Sequence, residues 1–491
     1  MSYINKTIFL NYIACPTLGW KTKRGGFPRQ EGLNNELLFL EGRKVHKLSY
    51  QLFPSAVNAQ KRNIDEAAAY TAEILKNPDN KTLLEASFVA QGFSVRVDIL
   101  EKNSDEYEGK NCWTLYEIKA GGKYKAKYSS DLAYSAMVLL KSGICANRFE
   151  LKHLSSDYRL GMPVENLFSS IECSEKVNAK LKEFLSIFDK AKSEIESGVM
   201  PAPYLKRSCK NCPIFDECMG KGVEKHIFNL PRLSVLAIDE LTAMGADAVD
   251  KIPQDYELTE MQKIVRNCMI TNSQYVSENL KPELEKIKAP YYYLDFESVT
   301  TVMPLYPNIA PHTQLLTQFS IDKSYRLGEI SKHYEYIADH SKDCRRKIAE
   351  KLVEYLGTEG SIITYASFEK IAASHLAFMF EDLREALLKI AGRMVDLEIL
   401  VRKNYYNVDF HGRSSIKKVL PVMIKDMNYE GLEIGEGGDA AAAFAFMAMG
   451  LYDKEKIERT KEHLLKYCAQ DTFAMVKIHE FLENKVKTLE V

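Results

Sequence analysis

An excess of either charge is missing from these 491 residues: 66 Lys and Arg face 67 Asp and Glu, a formal charge of −1. Without a basic field over the whole chain, any nucleic-acid partner must be held by local basic patches. Long apolar runs are missing too. No stretch reaches the ~18 consecutive apolar residues of a membrane span, so no membrane association is expected. The first residues, Met1 to Trp20, hold a short apolar stretch interrupted by Asn11 and Cys15. That is not the apolar core of a signal peptide, and it reads as a cytoplasmic chain. Internal repeats and low-complexity tracts are absent, and Ala440 to Ala443 is only a short helical run. What is present is an ordinary globular balance, 46% hydrophobic and 27% charged, which excludes a disordered chain. At roughly 100–200 residues per domain the length suggests two to four domains. Ten cysteines in a long chain without a secretory signal argue for metal or redox chemistry ahead of disulfides.

Three regions differ in texture. Residues 1–222 mix helices with short strands and end in a cysteine cluster. Residues 223–287 read as a helical connector: Leu233, Leu236, Ala237, Leu241 and Met244 recur at helical spacing, Gly245 ends that helix, and a second begins at Thr259. From 288 to 491, β-prone runs such as Tyr291–Phe296 and Ser361–Tyr365 alternate with long helical patterns, the mark of an α/β domain around a mixed sheet.

Cys209, Cys212 and Cys218 place three thiols within ten residues, with two residues between the first pair and five before the third. Thiolates are soft donors for zinc or an iron–sulfur cluster, and both usually take four protein ligands. The local run offers three, and Cys15, beside Pro16, is the candidate for the fourth. The remaining cysteines, Cys112, Cys145, Cys173, Cys268, Cys344 and Cys468, stand alone and read as core residues.

Asp98 lies in one β-prone run and Glu117 in the next, with eighteen residues between them. Glu117 and Lys119 are two apart and share a strand face. Two carboxylates on neighbouring strands can hold Mg²⁺ or Mn²⁺, and Lys119 can offset charge at a phosphate. A solvated sheet edge would carry the same residues. Glu85 is a further acid nearby. Between Lys119 and Tyr128, lysines interleave with two tyrosines beside two glycines, a composition able to follow a phosphate backbone and stack bases, or simply to form a solvated loop.

This arrangement resembles the RecB-like PD-(D/E)xK nucleases, specifically the CRISPR-associated members that carry an iron–sulfur cluster. The matching elements run in order over about 220 residues: Cys15, His46 at the end of a helix, Asp98, Glu117 with Lys119, then Cys209, Cys212 and Cys218. The resemblance implies His46 as a metal ligand beside Asp98 and Glu117, Lys119 as a catalytic residue, and a [4Fe-4S] cluster on the four cysteines. One departure stands out. Ser130 occupies the position where that family often has Gln, four residues before Tyr134, which bears on substrate binding more than on metal binding.

A second acidic set lies downstream. Asp295 and Glu297 share a strand face after Tyr291–Leu294. D-x-E occurs four times in the chain, at 255/257, 295/297, 396/398 and 453/455, but only the pair at 295 ends a strongly β-prone run. Glu369 follows another strand at the start of a helix. Tyr467 and Asp471 are i, i+4 neighbours on a late helix. In this order, residues 288–486 resemble the RNase H-like DEDD exonucleases of the DnaQ-like superfamily, in the tyrosine-bearing subgroup. The resemblance implies Asp295, Glu297, Glu369 and Asp471 as the four acids and Tyr467 as the residue that orients water. Val395–Leu397 and Ser415–Lys417 also look like the middle of those domains. Glu369 stands where that superfamily has Asp, one methylene shorter, and Asp396 is an alternative carboxylate. Four acids suit two divalent cations roughly 3.5–4 Å apart.

Together the two resemblances imply an α/β protein in which a nuclease domain with an Fe–S cluster is joined by a helical connector to an exonuclease domain. The expected activity is metal-dependent hydrolysis of phosphodiester bonds, mainly in single-stranded DNA or at DNA ends, in repair, defence or CRISPR-linked trimming. An RNA-processing exonuclease and a nucleic-acid-binding scaffold with drifted sites are the alternatives.

Overall fold

The computed structural model describes residues 3–25, 27, 32–107 and 109–489. It is mixed α/β and divides into two compact units, Met1–Pro203 with Thr301–Thr313, and Tyr204–Thr300 with Gln314–Val491.

In the first unit α1 (Lys6–Ala14), α2 (Pro16–Lys23), α3 (Leu33–Ser49) and α4 (Ile64–Leu75) precede or flank a sheet. Its strands are β1 (Val57–Asn58), β2 (Thr82–Ala90), β3 (Phe93–Tyr107), β4 (Lys110–Lys119), β5 (Ala146–Leu154) and β6 (Phe168–Glu172). They lie in sequence order, parallel at β1–β2 and β4–β5 and antiparallel elsewhere. Helices α5 (Ala126–Lys141), α6 (Ser174–Ser186) and α7 (Phe188–Glu196) complete the unit. Regular alternation fails beside the acids. Leu83 and Ala86 pack into one core with Val97 and Leu100, whereas Leu84 and Ile99 pack into another. Both strands therefore change face at Glu85 and Asp98, which fall opposite each other between the pairs Leu84↔Ile99 and Ala86↔Val97. Glu85 achieves this with φ +56°, a left-handed conformation that a side chain with a Cβ adopts only under strain.

Cys112 and Cys145 are joined as a disulfide. This corrects the expectation of two isolated core cysteines. Parallel pairing of β4 with β5 sets the two positions side by side, and Trp113 N–H donates to Cys145 O at 2.8 Å.

The second unit holds α8 (Val235–Ala243), α9 (Glu260–Thr271), β7 (Gln274–Val276), α10 (Leu280–Leu284), β8 (Tyr291–Thr300), β9 (Gln314–Ser324) and β10 (Lys332–Ile337). Then follow α11 (Arg345–Leu356), β11 (Ser361–Thr364), α12 (Phe368–Met379), α13 (Arg384–Gly392), β12 (Met394–Asp396) and α14 (Leu397–Asn404). Last come β13 (Tyr405–Asn407), α15 (Ile416–Met423), α16 (Gly437–Ala448) and α17 (Lys454–Leu489). The main sheet runs β10-β9-β8-β11-β12, with β8 antiparallel to β9 and parallel to β11.

Period-two alternation in β8 decides where its acids point. Tyr292, Leu294 and Phe296 pack with Ile348, Leu352 and Leu376 of α11 and α12. Tyr293 faces the other way, into a core with Ala474, Met475 and Ile478 of α17. Asp295 and Glu297 continue the Tyr293 face and so look toward α17. That helix presents Leu464, Tyr467, Cys468, Asp471, Met475, Ile478 and Leu482 as one buried stripe at steps of three and four.

The expected division at 222 and the separate connector are corrected. Leu205, Ile227, Leu241, Val265 and Leu280 share one buried cluster with Tyr293, Leu400 and Met475, so residues 204–287 belong to the second unit. The physical reason is length. Helices of nine and twelve residues, such as α8 and α9, are marginal alone and stabilise by burying an apolar face in a larger core. Their sequence-read ends hold: Thr259 closes a capping box with Gln262, and Gly245 follows α8 at φ +74°.

Candidate active sites

In the second unit, Asp295 and Glu297 of β8 and Asp471 of α17 each bring a carboxylate oxygen within 4.8 Å of the others. Glu369, in the first turn of α12, is 3% exposed, and its Oε2 has no hydrogen-bond partner. These acids repel one another in a dry setting. Burial, then the charge of Asp471, lifts Glu297 to about 8. Burial lifts Glu369 to about 8 and Asp471 to about 6. Burial, then Asp471 and Glu297, raises Asp295 well above the carboxylate range. A donor set of hard oxygens with an orphaned buried carboxylate oxygen fits a divalent cation of the Mg²⁺ or Mn²⁺ type.

Other side chains fix the acids. Cys468 Sγ donates to Asp295 Oδ2 at 3.2 Å. The Tyr429 hydroxyl donates to Asp471 Oδ1, and Tyr467, one helical turn before Asp471, lies near enough for the two groups to shift each other's acidity. A Cβ built on Gly437, at the start of α16, would lie 3.9 Å from the Tyr467 hydroxyl and 4.0 Å from Glu297 Oε2, so both groups border the same spot. Lys417 of α15 donates to Gly435 O at 2.6 Å and opposes the pKa rise of Glu297 and Asp471. Asp396 lies near enough to Glu369 for its charge to raise that acid, and it also holds backbone groups. Its Oδ1 accepts from Ala366 N–H at 3.1 Å and caps α14 through Ile399 N–H at 3.2 Å.

In the first unit, His46 of α3, Glu85 of β2 and Asp98 of β3 bring ligand atoms within 4.8 Å of one another. His46 Nδ1 is 3.7 Å from Asp98 Oδ1, and Asp98 Oδ2 accepts from Ile118 N–H at 2.7 Å. Burial, then the charge of Glu117, raises Asp98 to about 6. Glu85 accepts from the Tyr50 hydroxyl and lies 3.9 Å from Arg96. Glu117 is placed differently from the expectation of a metal ligand. Its carboxylate holds Lys6 Nζ at 3.0 Å and Lys119 Nζ at 2.7 Å. Burial pushes its pKa up, but the two ammonium groups outweigh that and bring it to about 2. Lys119 is itself shared with Asp131 at 2.6 Å. The donor set that converges is thus one imidazole and two carboxylates, with Glu85 where sequence favoured Glu117.

In the loop after Lys119, Lys123, Lys125 and Lys127 are exposed, whereas the tyrosines of the loop and the following helix make internal contacts. Tyr134 donates to Ile4 O at 2.6 Å and Ser94 O at 2.9 Å. Tyr128 is buried with Lys119 over its ring, and Tyr124 bonds Ser129 at 2.8 Å under Lys176. Cys15 belongs to the first unit, whereas Cys209, Cys212 and Cys218 follow one another along successive turns of the second. Among the described residues, the ligand groups that converge within 4.8 Å are the two carboxylate centres, and the cysteine trio is not one of them.

Sequence misses Tyr429, Lys6 and Asp131. Lys6 is 111 positions from its partner and Tyr429 is 42 from Asp471, in a loop without periodicity. Lys417 and Cys468 are visible but carry no local sign of a role.

The molecule is therefore a mixed α/β chain with two carboxylate-rich centres. Residues 292–415, which include Glu297 and Glu369, match the family model described as a domain of unknown function, DUF2779. An uncharacterized protein of Mycoplasma genitalium is 24% identical over 232 residues, 43% of this chain and 35% of that protein. Its homologue in Mycoplasma pneumoniae is 23% identical over 230 residues, and an uncharacterized protein of Ureaplasma parvum is 27% identical over 225 residues, 32% of its length. The chain thus matches about a third of the length of these relatives. Among the described residues, no helix is long and apolar enough to cross a membrane.

Proposed function

We propose that the protein is a metal-dependent nuclease that hydrolyses phosphodiester bonds, mainly of single-stranded DNA, with an RNase H-like DEDD centre in the second unit and a RecB-like PD-(D/E)xK centre in the first. The observation that carries this reading is the convergence of Asp295, Glu297 and Asp471, with Glu369 close enough for its charge to raise Asp295 and Glu297 and its Oε2 left without a hydrogen bond. So many acids with little protein counter-charge are unfavourable unless cations occupy the site. Bound Mg²⁺ or Mn²⁺ would supply activation of water and support of the leaving oxygen. The chain's own part is to hold the acids and to fix that water. Tyr467 is too weak an acid to serve as a base, and its hydroxyl, near Asp471 and Glu297, orients the attacking water. In the first unit His46, Glu85 and Asp98 would hold the cation, while Lys119 would meet phosphate charge by exchanging its pairs with Glu117 and Asp131. The Cys209–Cys212–Cys218 run and a [4Fe-4S] cluster belong to the same proposal and rest on donor softness and spacing.

A second reading is favoured for the first unit by one contact. Lys6 neutralises Glu117, as expected of a nucleic-acid-binding scaffold whose centre has drifted. End-labelled single- and double-stranded DNA and RNA, digested with Mg²⁺ or Mn²⁺, test both. Asp98→Ala should remove one set of products and Asp295→Ala the other. Products lost to Asp295→Ala alone would make the first unit a scaffold, and no cleavage of any substrate would overturn the nuclease reading.

A further inference from the structure

Lys417 occupies an unusual place. It is the second residue of α15, yet its ammonium group lies against two aromatic faces, 5.3 Å from the ring centre of Tyr429 and 5.1 Å from that of Tyr467. The rings are tilted by 59° with centres 6.3 Å apart, so the cation bridges them. A third anchor, Gly435 O at 2.6 Å, stops the side chain from swinging out. The Tyr429 hydroxyl donates to Asp471, and the Tyr467 hydroxyl borders the same spot as Glu297 Oε2 beside Gly437. A cation over an aromatic face is attracted by the ring's negative π-cloud, which favours one ring orientation.

We infer that Lys417 is a positioning residue of the second centre: it clamps Tyr429 and Tyr467 so that their hydroxyls meet Asp471 and the site's water, and it does so through the rings rather than by touching the nucleic acid. The inference rests on the nuclease reading of that centre. The resemblance takes in Ser415–Lys417 but gives this lysine no role. The clamp depends on residues from α15, from the loop that carries Tyr429, and from α17.

A double-mutant cycle separates this from simple structural support. Rates on end-labelled single-stranded DNA with Mn²⁺ would be measured for the parent, Lys417→Met, Tyr467→Phe and the pair. Lys417→Met should lower kcat about tenfold with KM within about twofold, because it disturbs water rather than substrate binding. In the Tyr467→Phe background the same change should cost less than about threefold, since the hydroxyl it acts through is already gone. Lys417→Arg, which keeps a cation over both rings, should recover most of the rate. Equal factors in both backgrounds would overturn the inference, as would a Lys417→Arg variant as slow as Lys417→Met. If Lys417→Met fails to fold, Lys417→Arg and Lys417→Gln carry the comparison. A parent that cleaves nothing would sink the nuclease reading and this inference with it, whereas an active parent with multiplicative losses sinks the clamp alone.

Discussion

Lys6 Nζ stands 3.0 Å from both oxygens of the Glu117 carboxylate, so the acid of the ExK strand is saturated by the protein's own cations. Removing the lysine should have two opposite effects. Lys6→Met should destabilise the metal-free protein by about 1–3 kcal/mol, because a buried carboxylate loses a charged partner while Lys119 remains. It should also tighten Mn²⁺ binding at the first centre about tenfold, by freeing a carboxylate and deleting a like charge. Titration calorimetry in an Asp295→Ala background reads the second effect. Unaltered affinity would mean that Glu117 cannot reach the cation even when released.

Acidity and metal should trade places in the second unit. Glu297 and Glu369, at about 8, and Asp471, at about 6, keep protons in the folded state that the unfolded chain sheds near pH 4. Between about pH 4 and pH 8 the native state binds the extra protons, so these groups make stability fall as pH rises through that window. Mn²⁺ replaces those protons and should raise the melting temperature more at about pH 8.5 than at about pH 6. Glu369→Gln should flatten the metal-free decline. A decline as steep in Glu369→Gln as in the parent would remove Glu369 from this account.

Tyr467→Phe keeps the ring under Lys417 and deletes the hydroxyl. Loss of one orienting hydrogen bond should lower the rate about ten- to a hundredfold. Asp471→Asn should lower it further and weaken metal binding, which Tyr467→Phe should leave almost intact. Single-turnover cleavage alongside Mn²⁺ titration distinguishes them. A Tyr467→Phe rate within about twofold of the parent would take the hydroxyl out of the mechanism.

The cysteine run should carry iron. Protein purified without oxygen should be brown and contain about four irons per chain, falling sharply in Cys212→Ala. About one zinc per chain and no iron would replace the cluster with a zinc site of the same thiols.

The strands and helices that hold the acids were legible because alternation and helical spacing are local. Tyr291–Phe296 announces β8 and its two faces, and Tyr467 with Asp471 shows as one helix face. Glu369 lies where its place after a β-prone run puts it, and Asp98 and Glu117 lie on adjacent strands. What escaped depends on contacts distant in sequence. Nothing in Leu84–Ala86 signals the left-handed turn at Glu85, and nothing near Lys6 signals Glu117. The short helices of 223–287 looked independent because apolar periodicity tells that a face is buried, not against what. Cys112 and Cys145 looked solitary for the same reason: parallel pairing of β4 with β5 needs the intervening α5, and spacing alone does not give its register.

The segment Thr301–Thr313 belongs to the first unit although it lies between two strands of the second. Its Val302 and Met303 N–H groups donate to the buried carboxylate of Glu41 at 2.7 and 3.2 Å, and His312 bonds Ala120 O at 2.7 Å. During synthesis the ribosome must therefore add some 110 residues beyond Pro203 before the first unit has all its parts. At ~5–20 residues per second that is a wait of about 5–20 s, during which Glu41 lacks its partners and the strand pair β8–β9 cannot yet close. The order of translation is thus not the order of completion, and no single cut in the chain yields either unit whole.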